Sequence, residues 1–397
     1  AFGYSHYGWN CKGELFNGQK FLPEKANQEQ QKLKSFWLNF RKHCPDYPVE
    51  VRGSNFTTGL ELATDGTPVD WIYRHGKVKL PAPNPPWGSS NLGLEISSYL
   101  SRIALTPTRR FPFRYYLNDP WFVSNPWWAY YHREPFDIYI PLATCRISAQ
   151  GKCETATDLA LLSIDNEKGD LDPLQAQEVI PHYLRALKYS PDQPGILTWV
   201  YPYQEYHNYL DQSPQYLNRV FFQDWYITRA IAAGLPLNTV IADKILAKIL
   251  LKQKHLLKQT ILLVPVPIGE PPFITKIIQW IKQGGQVIFY GSLEHASPQL
   301  KKLLNLKLDT PIEGNLPVKI FFQTDYFTNK KVSLSLNHRS LISGGGIAEV
   351  LQKAKDPYTH GHIDRVRWLS VKLSKAMNLP EDQQELIAKA AILHDVG

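Results

Sequence analysis

Two histidines and one aspartate near the end of the chain have the residue types and spacing of metal ligands. His362 ends the segment 358–362, and His394 and Asp395 follow 32 residues later. Apolar residues recur at helical spacing between them, so we expect two antiparallel helices that turn near residues 378–380. Two imidazoles and a carboxylate suit Fe, Mn or a similar divalent ion, which supplies a hydroxide nucleophile for phosphoester hydrolysis. The alternative is a helix pair with incidental histidines.

Three carboxylates each follow an apolar, strand-like run. Asp119 follows residues 113–117, Asp165 follows 159–164 and Glu205 follows 195–200. A pair of carboxyl groups can cleave a glycosidic bond, one as the acid and the other as nucleophile or base. We therefore predict Asp119, Glu205 and Asp165 as catalytic candidates. The alternatives are a turn or helix cap for Asp119, which precedes Pro120, and an ordinary polar cluster for Glu205.

Polar residues beside these carboxylates are candidates for substrate binding. Arg52, at the end of the run 48–53, and Asn55, just after it, can hold sugar hydroxyls, although a packed surface pair is equally compatible with the sequence. Tyr203 and His207 flank Glu205. We expect His207 to orient Glu205, and the alternative is an ordinary hydrogen-bonded histidine.

Aromatic residues are unusually frequent, with 11 Trp, 21 Tyr and 17 Phe. Several tryptophans stand beside Pro and Asn in loop-like sequence, where core aromatics are uncommon. Because aromatic faces stack on flat apolar ligand faces such as sugar rings, we predict a substrate platform. Its members are Trp121, Trp127 and Trp128, with packing within the loop as the alternative.

Strand-like and helix-like segments alternate from residue 1 to about 252, which predicts α/β structure with a parallel sheet. The predicted strands are 2–7, 48–53, 113–117, 137–142, 159–164, 195–200 and 238–241. The predicted helices are 26–43, 90–103, 175–188, 215–233 and 243–252. One further strand upstream would complete a (β/α)8-type barrel. A doubly wound open sheet fits nearly as well, but the long aromatic loops after the strands favour the barrel.

A shorter α/β pattern covers residues 256–345. It consists of a strand at 260–267, a helix at 272–283 and strands at 284–291 and 319–323. Gly284 and Gly285 follow the helix, and we expect them to end it in a left-handed conformation. The glycine-rich residues 343–347 predict a hinge before the final helices.

Residues 1–255 resemble the large glycosidase clan whose barrel carries a Glu acid/base after strand four and a Glu nucleophile after strand seven. This resemblance implies that Asp119 is the acid/base and Glu205 the nucleophile. Asp119 is one methylene shorter than the Glu of the family, which implies either an inverting mechanism or loss of activity. Residues 256–345 resemble the amidotransferase-like, flavodoxin-type domain of some β-galactosidase-like glycosidases. They contain no candidate nucleophilic Cys, so amidotransferase activity is not expected.

Residues 346–397 resemble the opening half of an HD-superfamily metal phosphohydrolase, most closely the HD-GYP cyclic-dinucleotide phosphodiesterases. The resemblance implies that His362, His394 and Asp395 bind Fe or Mn. The remaining ligands and the Gly-Tyr-Pro loop of the family would follow Gly397, so this all-α segment is expected to be truncated. Met377 is the only methionine, so we also expect residue 1 not to be a translation start.

Composition sets the remaining limits. The net charge is +8 with scattered basic residues, so we do not expect a nucleic acid polymer as the partner. We find no apolar run of the roughly 18 residues that a membrane span needs. Cys145 and Cys153 flank a turn-like stretch and either form a disulfide or remain free thiols.

Two functions remain open on these grounds. The first is a glycosidase-like protein that cleaves or binds a polysaccharide without a cofactor in the barrel. The second is a signalling protein with an HD-type phosphodiesterase domain. The barrel suits export and the HD domain the cytoplasm, so the location stays open.

Overall fold

A computed structural model of the chain describes residues 13–17, 20–50, 58–79, 92–105, 112–118, 136–163, 173–266, 271–291, 293, 296–308, 312–318, 332–338, 341–343, 380, 381 and 384. Contacts divide the chain into two compact units, Ala1–Leu300 and Lys301–Gly397, which are described separately.

The helices and strands within the described residues have the following limits. The helices are α1 Ala26–His43, α2 Thr58–Asp65, α3 Val69–His75, α4 Leu92–Ile103, α5 Phe136–Leu142, α6 Pro173–Lys188, α7 Tyr203–Gln212, α8 Leu217–Ala232, α9 Asp243–Lys252, α10 Pro271–Lys282 and α11 Pro298–Leu304. The strands are β1 Val49–Glu50, β2 Val78–Lys79, β3 Pro112–Asn118, β4 Cys145–Ile147, β5 Cys153–Glu154, β6 Asp158–Ser163, β7 Leu197–Tyr201, β8 Leu237–Ala242, β9 Ile261–Val266, β10 Val287–Gly291, β11 Leu306–Leu308, β12 Ile312–Val318, β13 Val332–His338 and β14 Leu341–Ser343. Short 3-10 turns cover Pro23–Lys25, Pro214–Tyr216 and Lys254–Leu257.

A six-stranded sheet organises the first unit, with the strand order β10-β9-β7-β8-β4-β5. All neighbours are parallel except β4 and β5. Strands β7, β8 and β9 are nearly continuous apolar runs, as expected for parallel strands covered on both faces. Strands β7 and β9 pair with each other although they lie on opposite sides of residue 255, the predicted domain limit. The domain limits themselves stay a prediction.

Helices cover this sheet on both faces because its connections run in both directions. The chain moves from β7 through α7 and α8 to β8, and then back through α9 to β9 on the other side of β7. Right-handed crossovers in opposite directions put their helices on opposite faces. The contacts agree, since α8 packs against α2 and α4, whereas α9 packs against α10.

Helix α8 buries one stripe of its surface against α2 and α4. Val220, Phe221, Ile227 and Ile231 lie on this stripe at helical spacing and are buried. Burial of each large apolar side chain contributes roughly 1.5–3 kcal/mol to stability. The opposite side of α8 faces solvent and carries Phe222 and Tyr226.

Several predicted elements are confirmed and one is wrong. Helices α1 and α9 have the predicted limits, and Gly284 ends α10 at a φ of 88°. Residues 137–142, predicted as a strand, belong instead to helix α5. The helix buries Ile138 and Leu142, four residues apart, on one side and packs against α6, where the Tyr139 hydroxyl lies 2.7 Å from His182 Nδ1. Packing of this face overrides the strand preference of the β-branched residues.

The mixed α/β class is confirmed, and parallel pairing extends beyond the six-stranded sheet. Strand β1 pairs with β2 and β3 with β6, both in parallel. Within the ranges described above, β10 and β5 lie at the two edges of the six-stranded sheet. The barrel and the flavodoxin-like arrangement remain predictions.

The described residues of the second unit form two antiparallel strand pairs, β11 with β14 and β12 with β13. The predicted strand 319–323 and the predicted HD helices lie outside the described residues or have only isolated residues described.

Two further sequence predictions concern thiols and membranes. Cys145 and Cys153 are free thiols on the neighbouring strands β4 and β5. None of the described helices is both long and apolar enough to cross a membrane.

Candidate functional site

The direction of the chain reverses between β7 and β9. The connection that leaves β7 runs towards β8, whereas the connection that leaves β9 runs towards β10. In open α/β sheets ligands bind outside the carboxyl ends of the strands at such a switch point. The carboxyl ends of β7 and β9 are therefore the first place to look for a site.

Strands β7 and β9 separate towards this edge. Their pairing ends at Trp199 and Leu263, although β7 continues to Tyr201 and β9 to Val266. Pro265 lies in the separated part of β9, where its missing N–H removes no hydrogen bond to β7. Gln223 of α8 fills the gap, since its Nε2 donates to the Val266 carbonyl at 2.8 Å.

A buried polar network surrounds this gap. Tyr206 donates to Gln223 Oε1 at 2.5 Å, which orients the amide that donates to β9. Trp199 Nε1 donates to the Tyr290 hydroxyl at 2.8 Å across the sheet. These bonds satisfy polar groups that have no access to water, so they hold the carboxyl ends of β7, β9 and β10 at a defined separation.

Asp224 is the acid of this network and is almost completely buried, with 1% of its surface exposed. Its Oδ2 accepts a hydrogen bond from the Tyr201 hydroxyl at 2.9 Å, and its carboxyl also accepts the Gly59 N–H at the start of α2. Oδ1 has no hydrogen-bond partner in the part of the chain that is described. Burial raises the pKa of Asp224 to about 7, and the two hydrogen bonds only partly offset this rise. The carboxyl therefore gains or loses a proton near neutral pH.

Glu205 lies in the first turn of α7, immediately beyond the carboxyl end of β7. It is half-buried, and its Oε1 accepts a hydrogen bond from the Tyr209 hydroxyl at 2.5 Å. One helical turn separates the two residues, so the helix itself sets this contact. Tyr209 in turn contacts Tyr216, with ring centroids 5.5 Å apart.

Tyr203 and His207 lie on a different side of α7 and are buried. His207 Nδ1 donates to the Tyr203 carbonyl at 2.6 Å, and His207 Nε2 accepts the Asp70 N–H at 3.2 Å. Both ring nitrogens therefore bond to backbone groups rather than to Glu205. The tautomer follows from these partners, and burial lowers the pKa of His207, so the ring is neutral.

The Tyr203 hydroxyl donates to Asp70 Oδ1 at 3.4 Å, and Arg74 pairs with the other oxygen of Asp70 at 2.7 Å. Tyr203 and His207 thus attach α7 to α3. Glu205 and Tyr209 are half-buried, whereas Tyr203 and His207 are buried, so a ligand would contact Glu205 and Tyr209 first.

The remaining predicted site residues lie outside the described residues. They are Asp119, Asp165, Arg52, Asn55, Trp121, Trp127, Trp128, His362, His394 and Asp395. Among the described side chains no group of three or more His, Cys, Asp or Glu could hold a metal ion. The predicted Fe or Mn site therefore stays a prediction.

The sequence analysis missed Asp224 and Asp243. Asp243 is the first residue of α9, directly after β8, where burial raises its pKa and Oδ1 has no partner among the described residues. Its position after a predicted strand was a signal that we did not use. Asp224 gave a weaker signal, because in the sequence it is only an acid on the apolar stripe of a helix. Its hydrogen bonds to residues of α2 and β7 are visible only in the structure.

Comparisons with protein-family models, with curated proteins and with solved structures found no match.

Proposed function

We propose that this chain is a glycosidase-like protein that binds or cleaves a polysaccharide at the carboxyl end of β7. The observation that carries the proposal is the position of Glu205, half-buried in the first turn of the helix that follows this strand. Its carboxyl group is held by the Tyr209 hydroxyl. A positioned carboxylate at the carboxyl end of a parallel strand is suited to act as nucleophile or base.

The second carboxyl group in this proposal is Asp119, with Asp165 as the alternative, as the sequence predicts. Asp224 is not assigned this role although its pKa is raised to about 7, because its side chain is hydrogen-bonded to the Tyr201 hydroxyl and is buried. Its role in the proposal is to position the start of α2 against β7 and α8.

The finer fold belongs to the same proposal. The parallel pairs β1–β2 and β3–β6 support a (β/α)8-type barrel. The parallel run β7-β9-β10, with α9 and α10 packed together, supports a flavodoxin-like arrangement.

Release of reducing sugar from a panel of β-linked polysaccharides tests the activity. We expect release by the parent and a loss of at least about 100-fold in Glu205→Gln, since removal of the nucleophile or base removes its whole contribution. Glu14→Gln, at an exposed turn, is the matched control and should keep the parental rate. Circular dichroism must show that all three proteins fold. A folded parent that neither releases sugar nor shifts in affinity electrophoresis with these polysaccharides would overturn the proposal.

A further inference from the structure

A row of side chains, three exposed and one half-buried, lies along the solvent side of α8. Arg219, Phe222, Tyr226 and Arg229 stand three or four residues apart, which places them on one face of the helix. We call these four residues the α8 row. Phe222 is 59% exposed and Tyr226 is 46% exposed, although large aromatic side chains on a helix normally face the core.

Other aromatic residues support the two rings of the α8 row from behind. Phe21 packs against Phe222 with ring centroids 6.0 Å apart, and Tyr290 stacks on Tyr226 at 5.4 Å. Each ring is thus held in one orientation while much of its surface stays open. Rigid, exposed aromatic rings bind ligands with flat apolar faces at a small cost in side-chain entropy.

The first end of the row adjoins the residues that hold Glu205. The Arg219 guanidinium lies over the Tyr216 ring at 4.1 Å, and Tyr216 contacts Tyr209, which donates to Glu205. Side chains of residues 205–229 therefore form a continuous series of contacts from Glu205 to the α8 row.

The charge of the row is positive. Neither Arg219 nor Arg229 pairs with a carboxylate in the described part of the chain. The two residues are ten positions apart, which corresponds to roughly 15 Å along the helix. The whole chain has a net charge of +8. A ligand that complements this row carries separated negative charges and has apolar ring faces between them.

We propose that the α8 row binds an acidic polysaccharide, with uronate carboxylates on Arg219 and Arg229 and sugar faces on Phe222 and Tyr226. The inference rests on the proposed function, because it names the substrate class for the site at Glu205. A single-stranded nucleic acid also has negative charges and flat rings, but it requires a continuous positive groove along its backbone. Two guanidinium groups separated by aromatic rings fit a polyuronate better.

Calorimetric titration with oligogalacturonate, and with its methyl ester as the uncharged analogue, tests the inference. We expect the parent to bind the acid form more tightly than the ester. Arg219→Gln/Arg229→Gln should weaken binding of the acid form by roughly tenfold and leave the ester unchanged. Phe222→Ser/Tyr226→Ser should weaken both forms. Arg185→Gln, on the exposed side of α6, is the matched control and should change neither.

Equal binding of acid and ester by the parent would overturn the inference, as would unchanged acid binding in the double-arginine variant. Tighter binding of a single-stranded DNA oligonucleotide at the same residues would overturn it in favour of a nucleic acid. Failure of the proposed function is distinguishable, because it appears as absence of sugar release from every polysaccharide tested, the acidic ones included, whereas the inference is decided by the ratio of acid to ester binding.

Discussion

Asp224 shows how the surroundings of one residue change its chemistry. A carboxyl group in water ionises near pH 4, but burial between β7, α2 and α8 raises the pKa of Asp224 to about 7. The Tyr201 hydroxyl and the Gly59 N–H stabilise the ionised form without fully compensating for the lost water. The Gly59 hydrogen bond thus connects this buried carboxyl group to the start of α2.

The raised pKa predicts a pH dependence of stability. Between about pH 4 and about pH 7 the folded state binds a proton at Asp224 and the unfolded state does not. The free energy of unfolding of the parent therefore falls as the pH rises through this window. Asp224→Asn has no carboxyl group at this position, so this fall is absent from the variant. We expect its free energy of unfolding, relative to the parent, to rise by on the order of 3 kcal/mol from pH 4 to pH 8.

Urea denaturation across this pH range checks the prediction. Asp192→Asn, which removes an exposed carboxyl group before β7, is the control. A flat difference between Asp224→Asn and the parent would contradict the raised pKa.

At the scale of elements, glycine residues decide how closely helices approach α8. A Cβ atom at Gly59 of α2 would lie 2.1 Å from Asp224 Oδ2, and one at Gly93 of α4 would lie 2.0 Å from the Thr228 carbonyl oxygen. These close approaches let the Ser97 and Thr228 hydroxyls meet at 2.8 Å and the Gly59 N–H reach Asp224. The helix layer thus depends on two positions without side chains.

Gly59→Ala should therefore destabilise the protein by roughly 2–4 kcal/mol, since the clash exceeds the usual gain from Ala in a helix. Gly234→Ala meets no atom within 4 Å and should cost only about 1–2 kcal/mol, from its positive φ. A double-mutant cycle with Asp224→Ala isolates the contact, because the second substitution removes the clashing oxygen. Additive losses in the cycle would contradict this explanation.

The attachment of α7 to α3 predicts a second pH effect, of opposite sign. Burial lowers the pKa of His207, so the folded state stays neutral below about pH 6.5 while the unfolded state takes up a proton. Stability from His207 is therefore present above this pH and is lost as the pH falls. In urea denaturation at pH 7.5 and 5.5, the parent should lose more stability than His207→Gln. His75→Gln, on the exposed side of α3, is the control.

At the scale of the whole molecule, the six-stranded sheet joins segments that the sequence analysis assigned to different domains. Strand β9 lies beside β7 rather than beside its neighbour in sequence, β8. This order creates the switch point, and the separation of β7 from β9 opens the edge at which Glu205 and the network around Asp224 stand.

The division into two units, with the limit moved from Leu300 to 305 so that α11 stays intact, predicts that residues 1–305 fold without the rest of the chain. All six strands of the sheet lie in this segment, and α11 ends at Leu304, followed by Asn305 with a φ of 48°. Near-ultraviolet circular dichroism and a cooperative thermal transition like that of the full chain are the expected result. A segment without fixed aromatic signals would show that it needs residues 306–397.

The sequence by itself determined the elements whose signals are local. The limits of α1 and α9, the strands 195–200 and 238–241 and the Gly284 helix end follow from periodicity and glycine chemistry within a few residues. The position of Glu205 shortly after a strand was also predictable, because an apolar run precedes it in the sequence. The carboxyl-end position of the candidate site was predictable for the same reason.

Features that depend on contacts between residues far apart in sequence were decided only by the tertiary structure. The neighbours of β7, the helix α5 in place of a strand and the raised pKa of Asp224 all result from packing between segments far apart in sequence. His207 was expected to orient Glu205, but contacts with α3 turn its ring to backbone groups. The free energies of burial and pairing act across space, and local residue patterns do not encode which surfaces meet.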